Sequence, residues 1–354
     1  MQMRFRRFDL ALKHHWAIAT DVAGGGGKSV YPVVFVELTD AQGRIGIGEA
    51  SPSSQYRESH ETVAAFLATV DPSRLSFDDV EGSMAYVEGL APGRYPAKCA
   101  LNIALLDGAA RHAGLPLCEF LGLGAFVEGR HLSSFTIGID TPEMMARKTT
   151  EAAGYPVLKM KLGSPNDRAN FAAVRGAAPG RRIRVDANAG WKTKEEALKN
   201  IEWLAADGAV EFVEQPMPPE LPTADWAWLK ERSPLPLIGD ELYQHHSDAE
   251  RCAQCVHGVN VKLVKTGGVS RGKQALEAAR AQGLQTMLGC MIESSVLISA
   301  AAHLAALTDY LDLDGNVLIT NDPCRGVRNV GGLLSFNGVE DPTGLRVSRP
   351  AGIW

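Results

Sequence analysis

The first fifty residues group and alternate their apolar side chains as strands do. The run Val33-Val34-Phe35-Val36-Glu37-Leu38 stops at a polar turn, Asp40 to Gly43, and Ile45-Gly46-Ile47-Gly48-Glu49 returns from it, the pattern of a β-hairpin. The spacing then becomes helical over Glu61 to Val70, Phe77 to Gly89 and Pro96 to Ala113. The last of these is so rich in small residues that it suits close packing against a neighbour. A sheet followed by helices predicts an α+β unit.

Beyond His131 short apolar runs alternate with amphipathic stretches. The runs are Leu132 to Gly138, Val157 to Leu162, Arg182 to Asp186, Val210 to Glu214, Leu237 to Glu241, Gly258 to Leu263, Gln285 to Leu288 and Tyr310 to Leu313. Helical spacing fills the gaps, as in Met144 to Ala153, Lys194 to Ala206, Asp248 to Gln254 and Ser270 to Gln282. Such alternation predicts parallel strands, most simply a TIM-like barrel, with a doubly wound open sheet as the alternative. Ser294 to Thr308 carries no formal charge but falls short of the roughly 18 to 20 apolar residues that span a bilayer, so it reads as a buried helix. The turn-rich segment from Asn321 to Trp354 is expected to return onto the first unit.

Charge removes whole classes of partner. With 36 Lys and Arg against 41 Asp and Glu the net charge is −5, and no basic block offers a footprint for nucleic acid or an anionic membrane. A small-molecule substrate is the expectation. Arg4, Arg6 and Arg7 are followed by Asp9 and Lys13 and not by an apolar stretch, so the N-terminus does not read as a secretory signal and a cytoplasmic location is expected. Six cysteines in such a chain then read as thiols. Cys252-x-x-Cys255 falls in a predicted helix without a second pair, and Gly24 to Ser29 lacks the spacing and context of a phosphate loop.

In a βα barrel chemistry sits at the C-terminal strand ends. Strand two ends Lys159-Met160-Lys161, strand three Asp186-Ala187-Asn188, strand four Glu214-Gln215-Pro216 and strand five Asp240-Glu241; strand six carries Lys262 and Lys265, and strand eight ends Asp312-Leu313-Asp314. Carboxylates on three adjacent strand ends suit a hard divalent cation such as Mg²⁺ with open positions for water and substrate. Lysines on strands two and six flank that cation, an arrangement for taking a proton from one face of a carbon and returning it to the other. The enediolate formed from a carboxylate on loss of its α-proton needs that cation. Lys159, two positions from Lys161, and the cation are both expected to depress the pKa of Lys161. For Glu241 the plainer reading is a cap or surface charge.

Lys159-x-Lys161, Val185-Asp186-Ala187-Asn188, Val213-Glu214-Gln215-Pro216, Gly239-Asp240-Glu241 and Asn260-Val261-Lys262-Leu263-Val264-Lys265-Thr266-Gly267-Gly268 together resemble the enolase superfamily, in its muconate lactonizing enzyme subgroup. The resemblance spans essentially the whole chain, with the motifs in order. It implies a modified (β/α)7β TIM barrel over 121–320 and an α+β capping domain over 1–120, completed by the tail 321–354. It also implies Asp186, Glu214 and Asp240 as ligands of one Mg²⁺ per subunit, Lys161 and Lys262 as the acid/base pair, and a homo-oligomer. Lys262 is preferred to Lys265 because the subgroup places its lysine four residues ahead of the residue before Gly-Gly. The pair Asp312 and Asp314 looks like that of the dipeptide epimerases, where it holds the substrate's free ammonium; a paired anion does so with charge-assisted hydrogen bonds. The implied activity is epimerisation at the C-terminal residue of a dipeptide, through a two-lysine 1,1-proton transfer.

Specificity is expected from two capping loops, His14 to Ser29 and Ser51 to Ser59. L-Ala-Glu specificity calls for a cation, for which the first loop has Lys13 and Lys28 and the second Arg57; Tyr56 and Trp16 equally suit an apolar pocket. Lys159 and Thr136 are further candidate substrate contacts. Asn188 either orients the metal ligands or fills the barrel mouth, and Glu293 either bonds a catalytic lysine or caps a helix. The alternatives on the same scaffold are an N-acylamino acid racemase, an o-succinylbenzoate synthase or a cycloisomerase or dehydratase, and a metal-dependent binding protein without turnover.

Overall fold

Strand β1 (Gln2–Trp16), β2 (Lys28–Thr39) and β3 (Ile45–Ala50) form an antiparallel sheet in the order β1-β2-β3 in this computed structural model, which describes residues 1–23 and 26–348. The sheet lies on the helix Tyr95–His112, and the small residues at that seam have a steric cause. A Cβ on Gly46 or Gly48 would come within 2.0 Å of the carbonyl oxygens of Ala104 and Ala100. Val36, Ala97, Ala100, Leu101 and Ala104 fill the remaining space with helices His60–Leu67 and Val80–Leu90.

The second sheet consists of eight parallel strands: β4 (Phe135–Ile137), β5 (Val157–Lys161), β6 (Arg182–Asp186), β7 (Val210–Glu214), β8 (Leu237–Gly239), β9 (Gly258–Val261), β10 (Gln285–Gly289) and β11 (Tyr310–Asp312). They pair in chain order, and a parallel bridge from Ser133 to Leu311 joins the last strand to the first, so the sheet closes as a barrel. The TIM-barrel expectation with an α+β cap therefore holds, and the open sheet is excluded by that bridge.

Strand ends differ from the sequence pattern where another partner takes the backbone. Leu132 bridges Leu333 of the C-terminal hairpin, β12 (Arg328–Val330) with β13 (Leu333–Ser335), which delays the start of β4. β8 stops at Gly239 because the Asp240 N–H turns to Gln215 Oε1 at 2.9 Å. β9 stops at Val261 because Lys262 starts the helical turn Leu263–Thr266. The apolar stretch after Ser294 is the buried helix Ser295–Ala302. The tail returns on the first unit, where Leu345 N–H donates to Asp107 Oδ1 at 2.8 Å and Asn321 Oδ1 accepts from Ala11 N–H at 2.7 Å. Among the described residues no helix is long and apolar enough to cross a membrane.

Candidate active site

Strand order fixes the layout of the barrel mouth. Lys161 ends β5 and Lys262 follows β9, four strands on in a ring of eight, so the two ammonium groups approach from opposite sides. Asp186, Glu214 and Asp240, at the ends of the three intervening strands, lie between them; all three are buried, and one oxygen of each lies within 4.8 Å of the other two. Asp312 and Asp314 come from the last strand, beside β4. A cavity of about 300 Å³ joins Lys161, Lys262, Asn188, Thr136, Asp312 and Asp314 to residues of the cap.

The three acids form an all-oxygen set suited to a divalent cation, and each is held by a fixed neighbour. Asn188, at φ 42°, donates its backbone N–H to Asp186 Oδ1 at 2.9 Å and lines the mouth. Asn260 Nδ2 donates to Glu214 Oε1 at 2.7 Å. Gln215, at φ 38°, accepts from the N–H groups of Asp240 and Leu242. Neither Asn260 nor Gln215 was singled out from sequence, although both lie inside the motifs.

Charge is paired tightly throughout. Lys161 Nζ donates to Asp186 Oδ2 and Lys262 Nζ to Asp240 Oδ2, each at 2.6 Å. Burial works against a charged Lys262, but the Asp240 carboxylate outweighs it and holds the ammonium above its ordinary range. Lys159 is 2.7 Å from Asp312 Oδ2, 2.8 Å from Glu214 Oε2 and 3.2 Å from Asp186 Oδ2. Burial opposes its charge too, yet Asp312 and Glu214 hold it well above the usual lysine value. Lys265 is enclosed by Asp240, Tyr243 and Asn260 oxygens and does not line the cavity. Burial pushes Glu214 up to about 7, with the Asp186 charge adding to it. Asp240 is desolvated as well, but Lys262 and Lys265 keep it well below the carboxylate range.

The strand-eight pair is asymmetric. Asp312 accepts from Lys159 and from Ser134 Oγ at 2.8 Å, and despite its burial Lys159 keeps it below its ordinary value. Asp314 accepts the Thr136 N–H at 2.6 Å, and burial followed by the Asp312 charge pushes it up to about 7.

The cap reaches the cavity through both expected loops, with Trp16, Ile18, Thr20, Asp21 and Lys28 from the first and Ser53, Ser54 and Gln55 from the second. Gly24 and Gly25 of the first loop lie outside the described residues. Arg57 corrects the sequence expectation: it is exposed, caps a short 3-10 turn at φ 57° and does not line the cavity. Tyr56 does not line it either; its hydroxyl is buried without a hydrogen-bond partner among the described residues. Burial, with the charges of Asp240 and Glu241 next, pushes that hydroxyl up. Glu241 is no surface charge: it is buried and accepts Gln55 Nε2 of the cap at 2.6 Å. Glu293 accepts the Met291 N–H at 2.9 Å, and no hydrogen bond to Lys161 or Lys262 is found for it among the described residues. Cys252 and Cys255 are buried free thiols.

Residues 14–122 match the mandelate racemase/muconate lactonizing enzyme N-terminal domain, and residues 143–322 match the enolase C-terminal domain-like family. The chain belongs to the mandelate racemase/muconate lactonizing enzyme family, within the enolase superfamily. Relatives in this family include an L-Ala-D/L-amino acid epimerase of Pedosphaera parvula, 55% identical over 98% of this chain and 99% of that protein. An L-Ala-D/L-Glu epimerase of Bacteroides thetaiotaomicron is 38% identical over 95% of this chain and 86% of its own length. Among solved structures, a substrate-liganded L-Ala-D/L-Glu epimerase from Bacillus subtilis superposes with a TM-score of 0.89 at 27% identity, covering 99% of both chains. A dipeptide epimerase from Cytophaga hutchinsonii, in complex with Mg and D-Ala-L-Val, gives a TM-score of 0.88 at 27% identity, covering 99% of this chain and 96% of that one.

Proposed function

We propose that this protein is a Mg²⁺-dependent dipeptide epimerase that inverts the α-carbon of the C-terminal residue, with Lys161 and Lys262 as its acid/base pair. The observation that carries the reading is the placement of two lysines half a barrel apart on one cavity, with three buried carboxylates between them and Asp314 to one side. The relatives' epimerase activities and the Mg-dipeptide complex of the Cytophaga hutchinsonii enzyme support it.

Asp186, Glu214 and Asp240 would hold a divalent cation, which would supply positive charge where negative charge builds on the substrate carboxylate. One lysine Nζ takes the α-proton from its face, and the opposite Nζ delivers a proton to the other face. The free ammonium of the substrate is held at the Asp312 and Asp314 pair, chiefly by Asp314, since Asp312 also faces Lys159. Thr136 fixes the Asp314 carboxylate through its N–H.

The cap sets the side-chain range. Lys28 is the cation that the cap brings to the cavity, 5.4 Å from the Tyr31 ring centroid, and Asp21, Trp16 and Ile18 share the wall. That mixture supports acceptance of glutamate together with uncharged side chains. The reading includes a cap over 1–120 with the tail 321–354, a barrel over 121–320, a homo-oligomer, and a cytoplasmic location that six cysteines outside any disulfide support.

The experiment is ¹H NMR of α-proton exchange in D₂O over L,L-dipeptides, with Mg²⁺, with EDTA and with N-acetylated controls. Exchange at the C-terminal residue that needs Mg²⁺ and is lost on acetylation is expected. Exchange of acylated amino acids alone, or none with any dipeptide, overturns the reading.

A further inference from the structure

One buried carboxylate of the cap takes no part in the site, yet it makes three hydrogen bonds to the barrel. Strand β3 alternates its side chains: Gly46, Gly48 and Ala50 share one face, and Ile47 and Glu49 lie on the other. Glu49 is fully buried. Its Oε1 accepts the Ser294 N–H at 2.9 Å, and its Oε2 accepts Ser294 Oγ at 2.6 Å and the Leu297 N–H at 3.1 Å. These N–H groups belong to the first turn of the barrel helix Ser295–Ala302, which has no intrahelical acceptors for them. A cap-domain carboxylate therefore caps a barrel helix.

The bonds around it reach the substrate cavity from both sides. Two residues along the chain, Ser51 Oγ donates to Ile292 O at 2.8 Å. Ser53, Ser54 and Gln55 of that same segment line the cavity, as do Cys290, Met291 and Ile292 of the segment that leads into the capped helix. Asp322 Oδ2 accepts from Ser295 N–H and Oγ, tying the C-terminal segment to the same turn.

We propose that Glu49 is a positioning residue for substrate binding: by capping the helix at Ser294 it fixes the register of the cap on the barrel, and so the wall formed by Ser53 to Gln55 against Met291 and Ile292. Its kinetic consequence rests on the epimerase reading above. The metal ligands and both lysines stand on the barrel alone, so the clamp acts on substrate affinity and leaves the proton transfers at saturation in place.

The test compares Glu49→Ala, Glu49→Gln and Ser294→Ala with the parent by dipeptide kinetics, Mg²⁺ titration calorimetry and amide hydrogen exchange. Loss of these three buried hydrogen bonds in Glu49→Ala is expected to raise KM by roughly tenfold or more, with kcat and Mg²⁺ affinity near the parent's. Glu49→Gln, which keeps one acceptor oxygen, and Ser294→Ala, which removes one donor, shift KM less, and in all three exchange over residues 51–57 accelerates. An unchanged KM, a loss confined to kcat, or unchanged exchange in these variants overturns the proposal. If Glu49→Ala does not fold, the two milder variants decide. If the parent epimerises no dipeptide, the activity reading fails by itself, and exchange over 51–57 still tests the clamp.

Discussion

A buried carboxylate keeps its charge where nearby lysine charge outweighs burial and neighbouring carboxylates, and the acids at the barrel mouth divide on that balance. Asp186, Asp240 and Asp312 each have a lysine within 2.7 Å and stay below the ordinary range, whereas Glu214 and Asp314 are pushed up to about 7. Asp314 must be ionised to hold an ammonium. As pH rises through about 7 it loses its proton, so KM for free-amine dipeptides is expected to fall, approaching about tenfold per pH unit on the acid side. KM measured from pH 5.5 to 8 checks this, and a flat profile removes Asp314 from ammonium binding. Lys262→Ala is expected to reduce epimerisation by about 10²–10⁴-fold while the circular dichroism spectrum is kept, since general acid–base groups contribute on that scale. Near-parental turnover would sink the two-lysine mechanism. At this scale the strand-end acids and lysines were legible from sequence because they terminate apolar runs. Glu49, Gln55 and Glu241 were not, since their partners lie 245 and 186 residues away.

Elements bring these residues into register, and two of them are sensitive to small changes. Gln215 at the end of β7 stops β8 one residue before Asp240 by taking its N–H. Gln215→Ala is expected to weaken Mg²⁺ binding by about 10–100-fold with the fold retained, the usual cost of losing a group that orients a metal ligand. Calorimetric titration measures it. In the cap, Gly48→Ala would place a methyl 2.0 Å from Ala100 O, and the seam between β3 and the helix Tyr95–His112 has no flexible side chain to yield. A loss of about 1–3 kcal/mol in urea denaturation is expected, typical of an overpacked core. Element type and order were readable from periodicity, whereas element ends were not wherever a distant group took the backbone, as the tail hairpin does at Leu132.

For the molecule as a whole, cap and barrel meet around one cavity, and a cation bound only by the folded barrel stabilises all of it. Mg²⁺ at about a hundred times its Kd is expected to raise unfolding stability by about 2.7 kcal/mol over an EDTA-treated sample. Differential scanning calorimetry with and without the metal checks it, and an unchanged transition would argue against a folded-state Mg²⁺ site.

The sequence by itself determined the alternation of strands and helices, for which a barrel was the simplest arrangement, and the chemical kind of each strand-end residue. These are local properties: apolar periodicity selects the element, and alternation along a strand selects the face. Only the tertiary structure decided which charges meet. Closure of β11 on β4 sets Asp312 beside Lys159 and leaves Asp314 without an ion pair among the described residues. The turn after Ser54 carries Arg57 out to solvent and brings Gln55 to Glu241 instead. Pairing between side chains so far apart depends on how the two units dock, and no pattern along the chain encodes that distance.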